Sequence, residues 1–247
     1  MEHILNHEKA HQKYFEEMTA IPHGSYHEQA YSAYLVAFAK EHGLKWIQDE
    51  LYNVIIYKDA SAGYEDHAPV LLQAHTDMVC EKNKDTDFDF EKDALKLYIE
   101  DGFLKARGTT LGADDGVGVA YMLALLSDPD AKHPPLECVF TVQEEVGLFG
   151  AMALKKEYFQ AKRMINLDDG GENATCTTSA GGVNVIMQKE RILVPHDGNG
   201  YQIDVFGLHG GHSGGEIDKE HGNANKLLAR VLFTLNRRYG VQLSWIQ

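Results

Sequence analysis

Residues 70–79 read VLLQAHTDMV, an apolar run that ends in an imidazole and a carboxylate two positions apart. In an extended strand residues i and i+2 project to the same side, so His75 and Asp77 arrive together at the end of a buried segment. Such a pair is unfavourable next to a core unless something compensates it. The fold must therefore bring other polar groups, or a cation, to the same spot.

The segments around this stretch alternate between helix-like and strand-like. Two helices are expected early: one carries Tyr14, Phe15, Met18 and Ile21 ahead of Pro22, and the other starts at Ser25 and carries Ala30, Tyr34, Leu35, Phe38 and Ala39 up to Gly43. Strands are expected at 44–48, 53–57, 103–106, 136–142 and 163–167, and helices at 119–126 and 148–159. The acidic stretch 81–102, with DTDFDFEKD at its centre, reads as a solvated surface insertion. This alternation predicts an α/β fold, a mostly parallel sheet flanked by helices.

From Gly181 the pattern changes. Longer antiparallel strands are expected at 183–194 and 201–208, followed by the Gly/His loop HGGHSGGEIDKEHGN and a helix. Asn223 or Asn225 suits the start of that helix, Leu227, Leu228, Val231, Leu232 and Leu235 form its apolar face, and Arg237, Arg238 and Gly240 suit its end. These features place a domain boundary near Gly182, with an α/β domain over 1–182 and the first part of an α+β domain over 183–247.

Composition narrows the partners. With 37 Asp+Glu against 23 Lys+Arg the net charge is −14, which argues against nucleic acid or an anionic membrane surface, both of which call for a basic face. The start lacks a basic region followed by an apolar one, and no apolar run approaches the ~18 residues of a spanning helix. The expectation is a soluble, cytoplasmic protein. Cys80, Cys138 and Cys176 form no CxxC pair and are expected to be buried thiols rather than a disulfide framework.

The polar residues fall in a telling place. His75 and Asp77, Asp114 and Asp115, Glu144 and Glu145, and Asp168 and Asp169 are each expected just past the carboxyl end of an apolar strand, the edge along which open α/β sheets build their sites. Singly each has a bland reading, Asp115 as a helix cap, Asp169 as a turn cap, His75 as a hydrogen-bonded core histidine. Together, one imidazole and several carboxylates would repel one another without a cation. Nitrogen and oxygen ligands without thiolates suit Zn²⁺, and also Co²⁺ or Mn²⁺. Asp114, in a glycine-rich turn, is a candidate to bridge two ions about 3.5 to 4 Å apart. Of Glu144 and Glu145, one can bind metal while the other serves the attacking water as general base, and Asp77 can hold His75 in the tautomer that leaves its other nitrogen free. GTTLGADDGVG is not a phosphate loop, because it lacks GxxxxGK[ST] and its aspartates would repel phosphate, and no GxSxG nucleophile motif is present.

The stretches LLQAHTDMV, GTTLGADDGVG, VQEEVGLFGA, NLDDGG, GLHGGHSGGEID and GNANKLLAR, in this order, resemble the M20 family of metallopeptidases, and within it the aminoacyl-histidine dipeptidases, over essentially the whole chain. The resemblance implies a catalytic domain of the zinc-peptidase type holding two divalent metal ions, with a smaller lid domain inserted. It implies that His75 and Asp168 bind one metal, Glu145 the other, and that Asp114 bridges them. Glu144 would be the general base and Asp77 would support His75. His212 would stabilise the developing oxyanion, and Asn223 would help bind substrate. Family members run well past this length and return to supply a last histidine ligand, so the chain is expected to be an N-terminal portion, the alternative being a natural truncation that binds metal incompletely. The implied reaction is hydrolysis of dipeptides, carnosine-like Xaa-His substrates first, with a homodimer through the lid. The alternatives are another M20 amidohydrolase, a tripeptidase or deacylase, or, for this stretch alone, a non-catalytic metal-binding or interaction module.

Overall fold

The computed structural model describes residues 3–246 except 171, 172, 180, 182, 184, 191, 196 and 212–215. The chain divides into two compact units, Met1–Ala180 and Gly181–Gln247.

In the first unit two helices, α1 (Ala10–Met18) and α2 (Gln29–Glu41), precede strands β1 (Lys45–Gln48), β2 (Val54–Lys58) and β3 (Val70–His75). A hairpin of β4 (Leu97–Glu100) and β5 (Phe103–Ala106) follows, then α3 (Ala113–Ser127), β6 (Leu136–Thr141), the short α4 (Phe149–Ala153) and β7 (Arg163–Asn166). The five-stranded sheet has the order β1-β2-β6-β3-β7. β6, β3 and β7 run parallel, while β2 pairs antiparallel with β6 and with β1. The architecture is a mixed sheet with a parallel half, flanked by helices.

Alternation along the strands sorts their side chains. Leu72 and Ala74 of β3, Val54 and Ile56 of β2, and Cys138 and Phe140 of β6 join one core with Phe15, Met18, Leu35, Val119 and Leu123 from the helices. β6 is buried along its whole length, as expected of a central strand covered on both faces. His75 stands on the opposite parity from Leu72 and Ala74 and pairs with Thr141 at the carboxyl end of β6, so the sheet register sets its direction.

Three expectations need correction. The helix expected at 148–159 stops at Ala153: Leu154 is extended (φ −61, ψ 136) and only a 3-10 turn follows at Lys156–Tyr158. Long-range bonds compete with the helix there. The Tyr57 hydroxyl donates to the Tyr158 carbonyl at 2.8 Å, and the buried Glu137 carboxylate accepts the amide of Gln160 at 2.8 Å. The acidic stretch is not all solvated surface, because its end forms β4 and Phe88 is buried. Of the three cysteines only Cys138 is buried, and Cys80 and Cys176 are exposed.

In the second unit the described residues of 183–194 and 201–208 form no strands. Val183, Ile186, Met187 and Tyr201 lie exposed, and a hairpin without an apolar surface to cover it is marginal. The expected helix is present as α5 (Ala224–Tyr239), closed by Gly240 in the left-handed region (φ 64). Leu228, Leu232 and Leu235 are its half-buried positions. Among the described residues no helix is long and apolar enough to cross a membrane.

Candidate metal centre

The three parallel strands end on one rim. β3 delivers His75, the turn after β6 delivers Glu144 and Glu145, and the segment after β7 delivers Asp168. The amino end of α3 supplies the fourth group. Gly112 precedes it in the left-handed region (φ 69), where a β-carbon would also meet Met78 Sδ at 3.1 Å and His23 Nε2 at 3.3 Å. Both features favour glycine there. Asp114 and Asp115 have non-helical backbone angles, and the peptide bond between them is cis.

His75 is 1% exposed. Its Nδ1 donates to the main-chain oxygen of Asp77 at 2.9 Å, which leaves Nε2 facing the carboxylates. Nε2 lies 3.0 Å from Asp114 Oδ1, 3.9 Å from Asp168 Oδ2 and 4.0 Å from Glu144 Oε2. Two triads of potential ligand atoms result, His75 with Asp114 and Glu145, and His75 with Glu144 and Asp168, each with its atoms within 4.8 Å of one another.

Asp77 does more than flank His75. Its carboxylate, 3.5 Å from Nδ1, accepts the Ser25 hydroxyl at 2.7 Å and the amides of Glu144 and Glu145 at 2.9 and 3.2 Å. One buried carboxylate thus positions the turn that carries both glutamates. Glu28, also buried, accepts the amide of Gln143 at 3.0 Å one residue earlier, and Asn53 receives the amide of Val142 at 3.0 Å. Ser25 and Glu28 were not visible as site residues in the sequence. Ser25 is 52 positions from Asp77, and no local spacing announces the bond.

The electrostatics record a surplus of negative charge. Burial pushes the His75 ring down, but its bonds to Asp77 and Asp114 and the charge of Asp168 outweigh this and raise it to about 10. Burial pushes the Asp77 carboxyl up, but His75, Ser25 and the Glu144 amide hold it below the usual carboxylate range. The Glu144 and Glu145 carboxyls are both pushed up, by burial first and then by the neighbouring carboxylates, against the pull of His75. Asp115 is pushed up to about 7, mainly by burial. Its Oδ1 accepts the amide of Gly118 at 3.2 Å, while Oδ2 is shielded and has no hydrogen-bond partner among the described residues. Carboxyls pushed up by burial and by one another, around an imidazole pushed up by them in turn, suit a divalent cation that offsets the crowded negative charge. The donor set, imidazole and carboxylate without thiolate, fits Zn²⁺, Co²⁺ or Mn²⁺.

The structure thus brings His75, Asp77, Asp114, Glu144, Glu145 and Asp168 together. Asn223 belongs to the second unit, where its side chain caps α5 by accepting the amide of Lys226 at 2.9 Å. His212 lies outside the described residues.

The pattern of Peptidase family M20/M25/M40 matches residues 71–224. The chain is 46% identical over 220 residues to the cytosol non-specific dipeptidase of Escherichia coli, a match covering 88% of this chain and 45% of that protein. Among solved structures it resembles the aminoacylhistidine dipeptidase of Vibrio alginolyticus, with 34% identity and a TM-score of 0.66 over 95% of this chain and 48% of that one. It also resembles aminopeptidase PepT of Bacillus cereus, with 26% identity and a TM-score of 0.56 over 68% of this chain and 45% of that one. The chain spans about half the length of these relatives.

Proposed function

This chain belongs to peptidase family M20/M25/M40, and on that premise we propose that it carries the metal-binding half of a cytoplasmic dipeptidase. The observation that supports the reading most directly is the convergence of Asp114, Glu144 and Asp168 on His75 Nε2, with Glu145 in the adjoining triad. Divalent cations held by His75, Asp114, Glu145 and Asp168, zinc foremost, would polarise a peptide carbonyl and acidify a water there.

The chain's own residues then divide the work. Glu144 accepts the proton of the attacking water, a role that suits a carboxyl with a raised pKa and a side chain that is 28% exposed. As the carbon–nitrogen bond breaks, the same carboxyl returns that proton to the leaving amine. Asp77 fixes the glutamate turn through its two amide bonds. A groove of about 400 Å³, lined among others by Ser25, Tyr26, His27, Phe90 and Glu145, can receive a substrate side chain. The oxyanion role of His212, a contribution of Asn223 to substrate binding and a homodimer through the second unit belong to the same reading by family resemblance, and sedimentation of the full-length protein tests the dimer.

A preference for Xaa-His dipeptides is supported by the likeness to the aminoacylhistidine dipeptidase, whereas the name of the Escherichia coli relative points to a broader range. The likeness to PepT supports tripeptides as the second reading. In the full-length protein with saturating zinc, Glu144→Gln is expected to lower kcat by about 10² to 10⁴-fold on carnosine and leucyl-glycine alike. Wild-type rates in that variant would remove Glu144 as the base, and faster turnover of a tripeptide or an N-acyl amino acid would move the substrate assignment.

A further inference from the structure

A second group of metal-ligating side chains lies at the start of the chain, made of residues that the rim does not use. Glu16, on α1, accepts the amide of Ile4 through Oε1 and the amide of Leu5 through Oε2, both at 2.9 Å. The carboxylate therefore pins the preceding segment to the helix. His7 Nε2 sits 3.0 Å from Glu16 Oε2, and the His3 ring stacks on His7 with centroids 3.6 Å apart and an interplanar angle of 29°. One nitrogen from each histidine and one oxygen of Glu16 lie within 4.8 Å of one another.

We propose that His3, His7 and Glu16 form a binding site for one Zn²⁺-class ion, separate from the rim. Two imidazoles and one carboxylate are a ligand set typical of zinc with a further position left for water, and imidazole disfavours Ca²⁺ and Mg²⁺, which take oxygen ligands. The His7–Glu16 separation is close to the roughly 3.3 Å between tetrahedral ligands that each stand about 2.0 to 2.1 Å from zinc. The carboxylate is already oriented by two amides, the kind of outer support that metal-bound carboxylates use. His3 is exposed, and a side-chain rotation out of its stack on His7 completes the triad. The ion would clip the amino-terminal segment to α1.

The test is a Zn²⁺ titration of the metal-stripped, untagged full chain, read from histidine ring resonances. The His3 and His7 rings are expected to shift together and saturably at micromolar zinc, with affinity at least tenfold weaker in Glu16→Gln. His3→Ala leaves the amide anchors of Glu16 in place, and should weaken the His7 response by a similar factor while the His75 response is unchanged. Two results would overturn the site: no shift of the two rings below millimolar zinc, or equal shifts in wild type and both variants, as independent surface histidines would give.

Discussion

Asp77 shows how far a single residue could be read. The i, i+2 spacing after an apolar run was enough to place His75 and Asp77 on one side of a strand end, and the structure has them there. The hydrogen bond that orients His75 runs to the main-chain oxygen of Asp77 rather than to its carboxylate. Its carboxylate, however, serves Ser25 and the Glu144 and Glu145 amides, partners 52, 67 and 68 positions away. Bonds over such separations depend on the finished sheet and leave no trace in local spacing. Asp77→Asn should therefore disturb more than one histidine. The amide keeps one acceptor oxygen but turns an NH₂ toward N–H or O–H donors, leaving at least one part-buried donor unpaired. A loss of roughly 1 to 3 kcal/mol is expected, read as a lower urea midpoint at unchanged slope. An unchanged midpoint would mean that these donors find other partners.

The elements were legible where one short-range pattern governed them. β3 and β6 stood out as apolar runs, and α5 by its apolar stripe and its Asn223 and Gly240 ends. The helix expected at 148–159 misled because its composition favours helix while Tyr57 and Glu137 hold residues 158–161 in another path. The amino end of α4 carries a sharper constraint. A β-carbon on Gly150 would lie 2.2 Å from the Val142 carbonyl oxygen and 2.5 Å from Asn53 Oδ1. Asn53 also donates to the Gly150 carbonyl at 3.0 Å, tying β2 to the turn that carries the glutamates. Helix propensity alone favours Gly150→Ala by about 1 kcal/mol. The clash is with main chain, which cannot step aside without moving α4, and overpacking of this kind costs typically 1 to 3 kcal/mol, sometimes more. Because the contact is far inside van der Waals distance the cost falls at the upper end, and a net destabilisation of about 1 to 2 kcal/mol is expected by chemical denaturation. A stabilised variant would show that α4 shifts freely.

At the scale of the molecule, the rim was readable because β3, β6 and β7 each hand over to acidic residues and run parallel, which sends those ends the same way. Asp114, expected past a strand of the same kind, comes instead from the amino end of α3. What the sequence could not supply was the balance of charge once they met. With His75 raised to about 10 against an ordinary value near 6.5, the protonated ring stabilises the ion-free fold. That contribution is fully present below pH 6.5 and is lost as pH rises through about 10. A cation at Nε2 must displace that proton, so at neutral pH metal and proton compete for one nitrogen. Apparent zinc affinity at the rim should rise about tenfold from pH 6 to pH 7 for each proton displaced. The stabilisation by a fixed excess of zinc, about 2.7 kcal/mol at a hundred times Kd, should grow with pH in step. Calorimetric titration in buffers of different ionisation enthalpy counts the protons released, and His75→Ala should reduce that number by about one. A rim affinity that stays flat over this range, with no proton release, would take His75 out of the metal site and leave its pairing with Asp114 a plain ion pair.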